Sequence, residues 1–218
     1  MKKILFLIIL FVAFFSPLAL PWERGGGEGS AFAYVLDKVD AVVNDQVITM
    51  SDVNRAVQVE KTEASAAGKD ESALRKAALD SLINRALLLD EAHKFNLAQV
   101  TPEEVEQAFV KVKSRYPDEK SFEESLRKEE ITQDELKDNL HDQILVIKYV
   151  DRRIRAFVLV TPDEETNYYE EHKKDFGARD FAEAEPEIKR LITEQRTDKK
   201  LDEYLRDLKT KANIIINP

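Results

Sequence analysis

The chain has 218 residues, 33 Lys and Arg against 42 Asp and Glu, and a formal net charge of −9. An acidic balance with no basic cluster argues against nucleic acid and anionic membrane surfaces as partners, since nothing offsets phosphate charge. There is no cysteine, which excludes thiol chemistry, cysteine metal sites and disulfide staples, so the fold must hold by packing.

Residues 1–33 read as an export segment. Lys2 and Lys3 precede an apolar run, Ile4 to Leu20, broken only by Ser16 and Pro17. A Gly-rich polar stretch, Glu23 to Ser30, leads to the small-x-small pattern Ala31-Phe32-Ala33. Cleavage after Ala33 leaves a mature chain of 185 of the 218 residues, starting at Tyr34. The long polar stretch keeps an uncleaved membrane anchor as the second reading, although the apolar run is short for a span of about 20 residues. The segment carries three basic and two acidic residues, a net +1 that takes the mature charge from −9 to −10. It also holds the only tryptophan, Trp22, and leaves two glycines, Gly68 and Gly177. Glycine-rich phosphate loops are thereby excluded from the mature chain.

Val39 to Thr49 reads as a hairpin turning at Asn44-Asp45-Gln46, since Asn and Asp tolerate left-handed turn geometry. Two strands alone are marginal and need a third strand or a covering helix. A helix follows from a Ser51 cap to about residue 62, then a polar connector, Ala64 to Asp70, and a long helix over 71–95. Leu74, Ala78, Leu82, Ala86 and Leu89 recur at helical spacing there, and Ile83, Leu87 and Leu88 widen the stripe to two buried sides.

Four capping boxes punctuate the next stretch: Thr101/Glu104, Ser121/Glu124, Thr132/Glu135 and Thr161/Glu164, with Pro102 and Pro162 at first helical positions. Each cap hydroxyl takes an orphan amide and each Glu returns to the cap's own amide. Helices are expected over 102–116, 122–129, 133–157 and 162–176, the third with Leu136, Leu140, Ile144, Ile147, Ile154 and Phe157 along one side. A last helix, about 183–211, buries Ile188, Leu191, Ile192, Leu201, Tyr204, Leu205 and Leu208, with a solvated middle at Thr193 to Lys200. Ile214, Ile215 and Ile216 then form a short terminal strand. Pairing it with the 39–49 hairpin removes an aggregation-prone edge and closes the domain. The starts at Thr101 and Thr161 align loosely, but two copies fall short of a solenoid.

No enzyme chemistry emerges. His93, His141 and His172 never fall at metal-ligand spacing on a helix and read as surface residues, so no metal or cofactor is expected. Adjacent pairs such as Glu103/Glu104, Glu129/Glu130 and Glu170/Glu171 do not share a helix face. Serines and threonines are accounted for as caps. The aromatics Tyr116, Tyr149, Phe157, Tyr168, Tyr169 and Phe176 crowd the central helices. Tyr168 and Tyr169 cannot both face one core stripe, so this set is the candidate surface for extended apolar peptide, with ordinary packing as the competing reading.

The stretch from Asp37 to Val53, with Val43-Asn44-Asp45-Gln46-Val47-Ile48-Thr49 at its centre, resembles the N-terminal domain of the SurA family of periplasmic chaperones and parvulin-type foldases. Leu82-Ile83-Asn84-Arg85-Ala86-Leu87-Leu88, Thr101-Pro102-Glu103-Glu104-Val105 and Glu187-Ile188-Lys189-Arg190 extend the resemblance over residues 34–218. It implies a mostly α fold, a multi-helix body with a small antiparallel sheet made by the N-terminal hairpin and the C-terminal strand. Residues 34–176 form its first part and 181–218 complete it. It implies a periplasmic, ATP-independent chaperone for unfolded exported or outer-membrane proteins, with no small-molecule substrate and a homodimer possible. Family members usually carry one or two parvulin domains, each on the order of a hundred residues, before the tail helix. Here only Gly177-Ala178-Arg179-Asp180 separates Phe176 from Phe181, so no isomerase activity and no catalytic residue are expected. A degenerate isomerase and a scaffold for one folded partner are the alternatives.

Overall fold

The computed structural model describes residues 37–62, 70–129 and 131–217. The export segment, its cleavage point and most of the 64–70 connector lie outside the described residues.

Strands β1 (Val39–Val43) and β2 (Gln46–Thr49) pair antiparallel. Asn44 turns the chain at φ 52°, a conformation its short polar side chain tolerates. That side chain also works outward. Its amide donates to Asp90 Oδ2 at 2.8 Å, and its oxygen accepts the Asn213 N–H at 3.0 Å. The turn thus holds both the long helix and the C-terminal segment. Strand β3 (Ile214–Ile216) pairs antiparallel with β1, Val42 opposite Ile215, giving the order β2-β1-β3. The terminal isoleucines therefore complete the hairpin, as expected.

Helix α1 (Met50–Thr62) starts two residues earlier than expected. Thr49, not Ser51, is the cap. Its amide donates to Asp52 Oδ2 at 3.0 Å and its hydroxyl accepts the Asp52 amide at 3.2 Å. Ser51 has Asn54 three residues on and lacks the carboxylate that closes such a box. Helix α2 (Glu71–Phe95) ends at Asn96, which at φ 46° returns its amide to the Ala92 carbonyl.

The boxes at Thr101, Thr132 and Thr161 form and start α3 (Pro102–Lys113), α5 (Gln133–Arg153) and α6 (Pro162–Glu171). The one at Ser121 does not. Asp118 caps α4 (Glu119–Lys128), accepting the Ser121 amide at 2.7 Å. A carboxylate at a helix N-terminus also favours the dipole. Asp180 likewise starts α7 (Phe181–Lys211) two residues early. Three helices stop short of expectation. Helix α3 closes at Ser114, and α5 and α6 give way to 3₁₀ turns at Arg155–Phe157 and Lys173–Phe176.

Among the described residues, three apolar clusters organise the body. The main one joins the sheet, α1, α2, the C-terminal half of α5 and the C-terminal half of α7, with Leu87, Leu88, Val146, Tyr149 and Leu201 among its buried members. The second packs Phe109 and Val112 of α3 and Phe122 and Leu126 of α4 on Leu136 and Leu140 of α5. The third packs Tyr169 and Phe176 on Ala184, Ile188 and Ile192 of α7. Because α5 and α7 each serve two clusters, no single stripe describes them. On α5 the buried side passes from Leu136 and Leu140 to Leu145, Val146, Tyr149 and Val150, while Ile144 and Ile147 are half-buried. The middle of α7 is not wholly solvated, because Thr197 is buried, its hydroxyl donating to the Thr193 carbonyl at 2.7 Å. That internal bond lets a threonine occupy a buried position.

Candidate client-binding surface

The six aromatic candidates do not form one surface. Tyr149 is fully buried, and its hydroxyl lies 2.7 Å from that of Tyr204. Tyr169 and Phe176 are buried together, ring centroids 5.8 Å apart, and the Tyr169 hydroxyl donates to the Arg179 carbonyl. Tyr168 beside them is half-buried, stacked at 4.1 Å on His172. Tyr116 is half-buried in the second cluster, edge-on to Phe122. Packing thus takes Tyr149, Tyr169 and Phe176 out of contact with solvent. Phe157 alone stands out, 66% exposed. Helical spacing places it on the buried side of its helix, but α5 ends at Arg153 and the following 3₁₀ turn rotates it outward.

Phe157 lies on the connection between α5 and α6, where Leu159 is 79% exposed. The backbone here is pinned although the side chains are bare. The Arg196 guanidinium donates to the Leu159 carbonyl and to both carboxylate oxygens of Glu164. Glu164 also accepts the Thr161 amide at 2.9 Å. The Arg196 side chain, followed by these cap bonds, lowers the Glu164 carboxyl to about 2. A similar arrangement exposes Leu97, whose carbonyl accepts from Arg152 while its side chain faces solvent next to the exposed Phe95.

Two clefts adjoin Phe157 and Phe95. One, of 290 Å³, lies between Phe157, Ile154 and Arg153 on one side and Lys200 and Tyr204 of α7 on the other. The other, of 540 Å³, shares Arg153 and Tyr204 and runs past Phe95 to the hairpin turn at Asn44 and Asp45. The shared wall is well fixed. Arg153 sits over the Tyr204 ring, 5.7 Å from its centroid, and the Tyr204 hydroxyl donates to Glu91 Oε2 at 2.8 Å. Since that donation uses its proton, Tyr204 accepts from Tyr149. Burial, then the bonds to Tyr149 and Glu91, raise the Tyr204 hydroxyl above the usual tyrosine range. The result is a trough with bare apolar side chains at one end and along one side, and a rigid, neutral tyrosine in its floor.

Among the described residues no three of His, Asp or Glu come together in a way that could hold a metal ion. No described helix is long and apolar enough to cross a membrane. Sequence reasoning missed Phe95, Leu97, Leu159, Arg153 and Tyr204 as surface groups. The signal available was local: Phe95 and Leu97 flank the left-handed Asn96, and Phe157-Val158-Leu159-Val160 is an apolar run lying between a helix end and a capping box.

Comparison with known proteins identifies a family. The profile of the SurA-like N-terminal domain matches residues 1–150, which include the hairpin, α1 to α4 and most of α5. Chaperone SurA of Legionella pneumophila (strain Lens) is 30% identical over 138 residues, covering 62% of this chain and 32% of that protein. Chaperone SurA of Pectobacterium atrosepticum is 31% identical over 143 residues, with the same coverage. The chain spans about a third of the length of these curated relatives. With the family profile matching well over half of its length, the chain belongs to the SurA-like N-terminal domain family.

Proposed function

We propose that this protein is an ATP-independent holdase, which binds unfolded exported polypeptides through the apolar rim of the α5–α6 connection and the adjoining trough. The observation that carries the reading is the exposure of Phe157 and Leu159 on a backbone held in place by Arg196. A frayed segment would expose apolar groups too, but it would collapse onto itself. A pinned one keeps them presented, with Phe95, Leu97 and the Tyr204 ring as further contacts. Full burial of a large apolar side chain contributes about 1.5–3 kcal/mol. Two to four such contacts, less the cost of ordering the client, give weak and reversible attachment. Release then needs no nucleotide, and residues 34–218 offer no glycine-rich phosphate loop, having only Gly68 and Gly177. The acidic charge favours solubility of the loaded complex.

The export segment and the kinship with chaperones named SurA support a periplasmic location and outer-membrane proteins as clients. Isomerase activity is not part of the proposal. Only residues 177–180 join the 3₁₀ turn at Phe176 to α7, and the described strands all belong to one three-stranded sheet. The test is suppression of aggregation for several unrelated unfolded proteins, compared with the Phe157→Ser/Leu159→Ser variant. The proposal expects broad suppression that weakens severalfold in the variant, and no turnover of a proline peptide. Activity toward a single folded partner, or equal suppression by the variant, would contradict it.

A further inference from the structure

Among the described residues, nothing pairs with the outer edge of β3. In the β1–β3 ladder, Asn44 donates to the Asn213 carbonyl at 2.8 Å and Asn217 donates to the Asp40 carbonyl at 2.9 Å. With Val42 opposite Ile215, the hydrogen-bonded pairs are 44:213, 42:215 and 40:217. The N–H and C=O groups of Ile214 and Ile216 consequently point away from β1, toward the outer edge, where none of the described residues bonds them. The strand carries no charge of the kind that usually blunts such an edge. Its side chains are bare as well, Ile215 being 51% and Ile216 57% exposed. Ile215, Val42 and Val47 lie in one row across the three strands on one face, and Val47 is also exposed.

We propose that an extended apolar segment of a client adds to this edge as a fourth strand, its backbone bonding Ile214 and Ile216 and its alternate apolar side chains prolonging the Val47–Val42–Ile215 row. The inference rests on the holdase reading and names the chemical class of client segment: strand-forming, with β-branched or aromatic residues at every second position. Main-chain pairing supplies the affinity and the row supplies the preference. A second copy of the chain fits less well. Three residues span about 10 Å, far too little to bury the roughly 1,200 Å² of a stable interface, and the copy would bring a further net charge of −9. A short, weak contact suits a client that must leave.

The experiment is backbone amide exchange by NMR on the full mature chain, alone and with a nine-residue peptide of alternating Val and Thr. Its control is the same peptide N-methylated at alternate amides. Protection of Ile214 and Ile216 that appears with the peptide, and not with the methylated control, is the expected result. The variant Ile216→Pro removes one outward amide but no bond to β1, and an edge strand tolerates proline. It should keep its circular dichroism and bind the peptide about threefold to tenfold more weakly, the worth of one hydrogen bond. Three results would overturn the proposal. Aggregation suppression with unchanged exchange at both amides leaves the holdase reading standing and removes the edge. Protection that rises with protein concentration alone makes a second copy the occupant. Absence of any client binding removes both readings together.

Discussion

Replacing Tyr204 by Phe tests how the trough floor is built. Tyr149 is fully buried and gives its proton to Tyr204, which gives its own to Glu91. In Tyr204→Phe the Tyr149 hydroxyl keeps its burial and loses its acceptor, and an unsatisfied buried donor costs about 1–3 kcal/mol. Glu91 loses a donor as well but keeps Lys94 at 3.6 Å. The expected loss is about 2–3 kcal/mol. In Tyr149→Phe no donor is orphaned, because Tyr204 still bonds Glu91, and the loss is about 1 kcal/mol. The double variant should then cost less than the two single losses added, since removing both hydroxyls leaves nothing stranded. Urea unfolding followed by far-ultraviolet circular dichroism measures all three, with a thermal midpoint shift of about 2–4 °C per kcal/mol as a check. A Tyr149→Phe loss equal to or larger than that of Tyr204→Phe would refute the direction of the relay.

Glu164 sets a pH dependence. Its folded carboxyl is held at about 2 against an ordinary 4.5, so the unfolded chain binds more protons between these values and stability falls as pH drops through that window. Glu164→Gln should be less stable than the parent at pH 7, the difference closing as pH falls from 4.5 toward 2. Parallel melting curves at every pH would contradict it. Truncation after Asn213 removes the Val42–Ile215 pair, the Asn217 bond to Asp40 and the packing of Ile214 on the main cluster. It should cost about 3–5 kcal/mol, and an unchanged urea midpoint would show that β3 contributes nothing. Phe122→Ala empties the centre of the second cluster, where Phe122 is fully buried, at about 3–5 kcal/mol. Amide exchange should quicken more in α4 than in α2, and an equal increase in both would mean that the clusters do not open separately.

Much of this architecture was legible because local signals and global packing agree. The Asn44 turn, the three Thr–Glu boxes and the terminal isoleucines each name their own conformation, and every one is found. Helix ends were less legible. Ser51 lacks an acidic residue three positions on, so Thr49 takes the role with Asp52, whereas at Ser121 the box is complete in sequence and Asp118 still starts the helix earlier by capping with its own carboxylate. The proposed binding surface was hardest to read. Aromatic content marked Tyr149, Tyr169 and Phe176, but an aromatic serves a core as well as a surface, and here two clusters claim them. What distinguishes Phe157 and Leu159 is the end of a helix at Arg153, and α5 stops there because the chain must turn to start α6. Periodicity continues through that point in the sequence and does not mark it.

Client contact at the α5–α6 connection is the step on which holdase activity depends. Photocrosslinking measures it directly, with a photoreactive residue placed at Phe157 or Leu159 and, as control, at Glu123 on the exposed side of α4, in the presence of a urea-unfolded outer-membrane protein diluted into buffer. Strong crosslinks at 157 and 159, and weak ones at 123, are predicted. Equal yields at all three positions would contradict the claim that this rim is where polypeptide is held.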